Sequence, residues 1–72
     1  DLSYADLTGA NLEGANLEDV VLRGADLTGV NLEGANLEGA VLRGANFRGA
    51  ELRYTILSWA WKFLPDWDFI WK

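Results

Sequence analysis

One spacing governs this chain. A large apolar residue recurs every five positions, at Leu2, Leu7, Leu12, Leu17, Leu22, Leu27, Leu32, Leu37, Leu42, Phe47, Leu52 and Leu57. A period of five matches neither the 3.6 of an α-helix nor the 2.0 of a β-strand, so no long helix and no flat sheet keeps these side chains on one buried face. A chain that turns a corner once per five residues does. A second period says how many corners make a coil: residues 6–25 match residues 26–45 at 17 of 20 positions, which fits four sides rather than three. Coils of that kind stack at about the 4.8 Å spacing of paired strands.

The other columns of the repeat fit this geometry. Two positions before each centre stands Ala or Val at 5, 10, 15, 20, 25, 30, 35, 40, 45 and 50, with Thr55 the polar exception. The position just before the centre is mostly Asp or Asn, as in Asp6, Asn11, Asn16, Asp26, Asn31, Asn36 and Asn46. Those short polar side chains suit corners, where they hydrogen-bond nearby backbone. Two positions after the centre stand all eight glycines, 9, 14, 24, 29, 34, 39, 44 and 49, which relieve crowding at the turn. Tyr4, Asp19, Tyr54 and Trp59 replace Gly in that column, so the turns there are expected not to require positive φ.

The A(D/N)LxG pattern, repeated from residue 1 to about residue 58, resembles the pentapeptide repeat family. The resemblance implies an all-β fold: a right-handed quadrilateral β-helix, a pentapeptide-repeat solenoid of about three coils, over 1–58. At about 4.8 Å per coil that prism is about 15 Å tall. Family members often use a C-terminal helix both to cap the prism and to dimerise. Bacterial members that confer fluoroquinolone resistance mimic duplex DNA and occupy DNA gyrase, which sets an alternative function for an acidic chain. Two departures weigh against that carry-over. The short prism spans only about four or five base pairs, and Arg23, Arg43, Arg48 and Arg53 interrupt the negative field that a mimic needs.

The ends depart from the repeat. Residue 1 is already the Asp before a centre, and solenoids need caps over their terminal coils. The chain therefore reads as a fragment or processed product of something longer, or as one whose first coil a partner or second copy covers. At the other end Lys62 breaks the register, and residues 59–72, WAWKFLPDWDFIWK, hold Trp59, Trp61, Trp67 and Trp71 with Phe63 and Phe69. Pro65 followed by Asp66 and Asp68 fits the start of a short helix, against a hairpin turning at Leu64-Pro65-Asp66. The expected division is 1–58 as the β-helix and 59–72 as a Trp-rich cap and docking segment.

Chemistry is scarce. In 72 residues there is no Cys and no His, which removes the thiolate nucleophile, the usual general base and the common metal ligands. The net charge of -5 has the wrong sign for direct nucleic-acid binding. No stretch of the sequence reaches the roughly 20 apolar residues of a membrane span. The register stacks Glu13 with Glu33 and Glu18 with Glu38, carboxylates about 5 Å apart. No cleft or histidine separates their acidities, so they read as a solvated face. No enzyme, metal or cofactor is expected.

Binding is the better prospect. Val21 and Val41, beside Arg23 and Arg43, form an apolar stripe where the repeat elsewhere has Asp or Asn. The six large rings of the C-terminal segment exceed what the end of a narrow prism covers, so the surplus is expected to meet a protein partner or second copy, or the interfacial zone of a membrane. The sequence thus describes a non-enzymatic structural and protein-interaction module. Its candidate contact residues are Trp59, Trp61, Phe63, Trp67, Phe69, Trp71, Val21, Arg23, Val41 and Arg43.

Overall fold

The computed structural model describes residues 1–57; the expected division at 58, the expected short C-terminal helix and the aromatic contact residues proposed for 59–72 lie outside them. Among the described residues all regular structure is β. The strand segments β1 (Asn36–Leu37) and β2 (Ile56–Leu57) pair in parallel, with Asn36 opposite Ile56 and Leu37 opposite Leu57. Six further parallel bridges keep the same offset of 20 residues: Asp6 with Asp26, Asn11 with Asn31, Asn16 with Asn36, Val21 with Val41, Asp26 with Asn46 and Asn31 with Glu51. The 20-residue period of the sequence is thus the stacking register of the coils.

Each side is held by the same small set of backbone bonds. On one of them the Leu7 amide donates to the Asp26 carbonyl (2.8 Å), the Gly9 amide to Thr28 (2.8 Å), and the Asp26 amide back to Ala5 (2.9 Å). The corner follows at once: the Ala10 amide donates to the Leu7 carbonyl (2.9 Å), closing a four-residue turn whose third residue is Gly9. Its φ of 69°, with no positive φ at Thr8, defines a type II turn. Asp or Asn stands one residue before most of these turns. There their Oδ1 atoms accept the amide two residues on, as Asn31 does from Glu33 at 3.0 Å.

Tyr4, Asp19 and Tyr54 overturn the expectation for the substituted glycine positions. All three have φ of 61°. The ladder on either side fixes where the chain enters and leaves each corner, so the left-handed conformation is imposed whatever side chain stands there. For a non-glycine residue that costs about 1–2 kcal/mol. Trp59, the fourth such position, lies outside the described residues.

The left-handed corner also sets which coils accept a side chain. A Cβ at Gly44 would lie 3.7 Å from Gly24 of the preceding coil, an ordinary contact. At Gly24 it would lie 2.5 and 2.6 Å from the Tyr4 ring, and at Gly39 it would collide with the Asp19 carboxylate. An occupied corner therefore crowds any side chain one coil later, a conflict that glycine avoids. The described corners obey this: Tyr4-Gly24-Gly44, Gly9-Gly29-Gly49, Gly14-Gly34-Tyr54 and Asp19-Gly39.

Leu and Ala point inward. Leu22, Ala25, Leu27, Val30, Leu32, Ala35 and Leu37, all on the middle level of the ladder, are completely buried. Leu42, Ala45 and Phe47 join them, while Leu2, Leu7, Leu12 and Leu17 of the first level are only half-buried against this core. A residue with a coil on both sides loses all its contact with water; one with a coil on one side keeps part of it. Thr55 is the polar member of the small-residue column, and its hydroxyl is satisfied by the Leu32 carbonyl at 2.7 Å.

Two predictions follow from burial and from the corners. Leu32→Ala is expected to lose about 2–5 kcal/mol of stability in urea unfolding and Leu7→Ala clearly less; equal losses would contradict the burial gradient. Gly9→Ala, with open space around its Cβ, is expected to lose about 1–2 kcal/mol from backbone strain alone. Gly24→Ala should lose more, and Tyr4→Gly in the same chain should return it to the Gly9→Ala level. A loss at Gly24 indifferent to Tyr4 would sink the corner rule.

Candidate interaction faces

The register sorts the outward side chains onto separate faces. The first face carries residues 1–3, 21–23 and 41–43, and the second 6–8, 26–28 and 46–48. The third carries 11–13, 31–33 and 51–53, and the fourth 16–18, 36–38 and 56–57. Val21 and Val41 pair directly across the ladder on the first face. Val21 is half-buried, Val41 is 45% exposed, and Arg23 and Arg43 are exposed. The structure thus brings these four candidate residues together.

Along the second face Asp6 and Asp26 are bridged neighbours. The Thr8 hydroxyl and then the Thr8 amide hold the Asp6 carboxyl below its ordinary value, against burial and the charge of Asp26. Thr28 does the same for Asp26, its hydroxyl donating at 2.6 Å and its amide at 3.0 Å. Both carboxylates are therefore ionised at neutral pH and serve the turns. The third and fourth faces are acidic, with Glu13, Glu33 and Glu51 on one and Glu18, Asp19 and Glu38 at the other. Among the described residues no group of three or more acidic side chains is placed to hold a metal ion, and no helix is long and apolar enough to cross a membrane.

Sequence reasoning passed over three exposed apolar side chains. Tyr4 is 72% exposed, Tyr54 80% and Ile56 51%. Each had a visible signal: the tyrosines stand in the glycine column and Ile56 in the Asp/Asn column. Tyr4 lies at the corner that closes the first face, with its ring against Gly24. Tyr54 and Ile56 flank the start of the last described side.

The ladder, the corner chemistry and the inward Leu and Ala columns agree with known proteins. A family model for pentapeptide repeats matches in 8 copies, over residues 1–39 and 31–61. No curated protein matches the chain. Among solved structures, a pentapeptide repeat protein (Rfr23) from the cyanobacterium Cyanothece 51142 is similar, with a TM-score of 0.78 and 45% sequence identity over 81% of this chain. The match covers 40% of that protein, so this chain spans about two fifths of its length. The five-residue repeat that the sequence displays is therefore the β-helical repeat of a known class, and the chain belongs to the pentapeptide repeat family.

Proposed function

We propose that this chain is a rigid, non-enzymatic interaction module: a right-handed, four-sided β-helix of about three coils over 1–58 that docks through its aromatic segment 59–72 to a protein partner or a second copy. Proteins of the family are generally structural repeat proteins without catalytic activity. One observation carries the reading. The described residues spend their polar groups on holding the turns, leaving faces of distinct chemistry and no convergent catalytic set, while the sequence concentrates Trp59, Trp61, Phe63, Trp67, Phe69 and Trp71 outside the repeat. Trp in particular dominates interface energetics where it becomes buried by a partner.

The first face, with Val21, Arg23, Val41 and Arg43, is the second contact surface in this reading. It also weighs against DNA mimicry, because it sets an apolar and cationic strip along one side of an otherwise acidic prism. A gyrase mimic would inhibit supercoiling at micromolar concentrations, and a membrane-peripheral subunit would shift its Trp emission to the blue with vesicles; neither effect is expected.

Removal of residues 59–72 is expected to reduce the mass measured by light scattering to that of a monomer, or to abolish retention of a native partner, with the β circular dichroism kept. Unchanged mass together with unchanged partner retention would overturn the proposal.

A further inference from the structure

The first face is short of acceptors. A polar side chain before a centre accepts its own turn amide, as Asp6 does from Thr8, Asn11 from Glu13, Asn16 from Glu18 and Asn46 from Arg48, and as Asp1 does from Ser3 at the start of the first face itself. Even Glu51 does so, from Arg53 at 2.8 Å. Val21 and Val41 cannot. The amides of Arg23 and Arg43 consequently have no acceptor among the described residues, although both residues are exposed. Two unused backbone donors and two guanidinium groups thus lie one coil apart along an apolar strip, and all of them need acceptors.

We propose that this face docks the fourth face of a second copy, through Glu18 and Glu38. The inference rests on the chain being an interaction module and adds a partner for the first face. Carboxylates accept only, and are the natural mates of guanidinium and amide donors. Glu18 and Glu38 are exposed and belong to bridged neighbours on the ladder, so they repeat at the same axial spacing, about 4.8 Å, as Arg23 and Arg43. The fourth face has no basic residue among those described and offers exposed Ile56 as apolar area. A free acidic peptide strand would space its same-side carboxylates at about 6.6 Å, and so would fall out of step with the arginines. A stacked ladder keeps step. The second face is a poorer mate because Thr8 and Thr28 already occupy its carboxylates. At physiological salt the Debye length of about 8 Å screens the repulsion between two chains of net charge -5, while pairs in direct contact are screened much less.

Sedimentation velocity of the full chain, from micromolar to millimolar protein, tests this. Arg23→Glu with Arg43→Glu is expected to weaken self-association by about tenfold or more, and so is Glu18→Arg with Glu38→Arg. Mixing the two variants should restore it, because each supplies the face the other lacks. Val21→Asn with Val41→Asn gives the two amides an acceptor from their own chain. It should raise the urea midpoint and still lower association, which excludes misfolding as the cause. A wild-type chain that is monomeric at millimolar concentration, or swapped variants that do not restore each other, overturns the proposal. An association lost on removal of 59–72 but indifferent to the arginine swaps would overturn it while sparing the docking role of the aromatic segment.

Discussion

The structure depends on the parallel hydrogen bonds between coils, formed by residues 19 to 21 apart, such as Leu7 to Asp26 and Asp26 to Ala5. A β-strand at the edge of a sheet leaves a row of donors and acceptors open. Here each short side is the edge that the same side of the next coil satisfies, so residues far apart in sequence are tied at every level. Because the sides are short, the chain must turn within the same five residues that supply the bonds. The corner and the ladder are therefore one constraint seen from two ends. The ladder fixes the directions in which the chain reaches the corner, and a type II turn with a left-handed third residue joins them.

That constraint explains which features were legible in the sequence. The Leu column, the Ala column and the 20-residue register could be read from spacing alone, because inward direction and stacking depend on position rather than on neighbours. So could the grouping of Val21, Arg23, Val41 and Arg43 on one face. The conformation at Tyr4, Asp19 and Tyr54 could not be read from residue preference, since the ladder overrides it: tyrosine rarely adopts φ near +61°, yet both tyrosines do. The sequence did hold a subtler sign. Where Tyr4 and Asp19 occupy a corner, Gly24 and Gly39 follow one coil later, and that pattern acquires meaning only once the Cβ directions at the corners are known.

The polar side chains show a similar division. Asp and Asn before the centres were expected to serve the corners, and they do so from the sides, by accepting the turn amide. A repeat built this way consumes most of its own polarity: Thr28, Asp26 and the Thr28 amide satisfy one another and leave little for a ligand. The lowered pKa of Asp6 and of Asp26 is accordingly a signature of turn maintenance rather than of catalysis.

Departures from the repeat consequently carry more information than the repeat itself. Val21 and Val41 leave the inward core untouched and keep the backbone ladder, as the Leu22 amide still reaches the Val41 carbonyl at 2.8 Å. What they remove is an acceptor, and the resulting change is confined to the outer surface. A substitution that weakened the coil would have to act through stacking, and this one acts only through solvation of the Arg23 and Arg43 amides. Water can supply that solvation in the isolated chain, so the fold tolerates the substitution at little cost. A partner's carboxylate can supply it better, because it brings charge to two guanidinium groups along with the acceptor. The same reasoning separates the tyrosines from the valines. Tyr4 and Tyr54 strain the backbone where glycine would not, so their occupancy is opposed by the fold, whereas the valines alter only what the face offers to its surroundings.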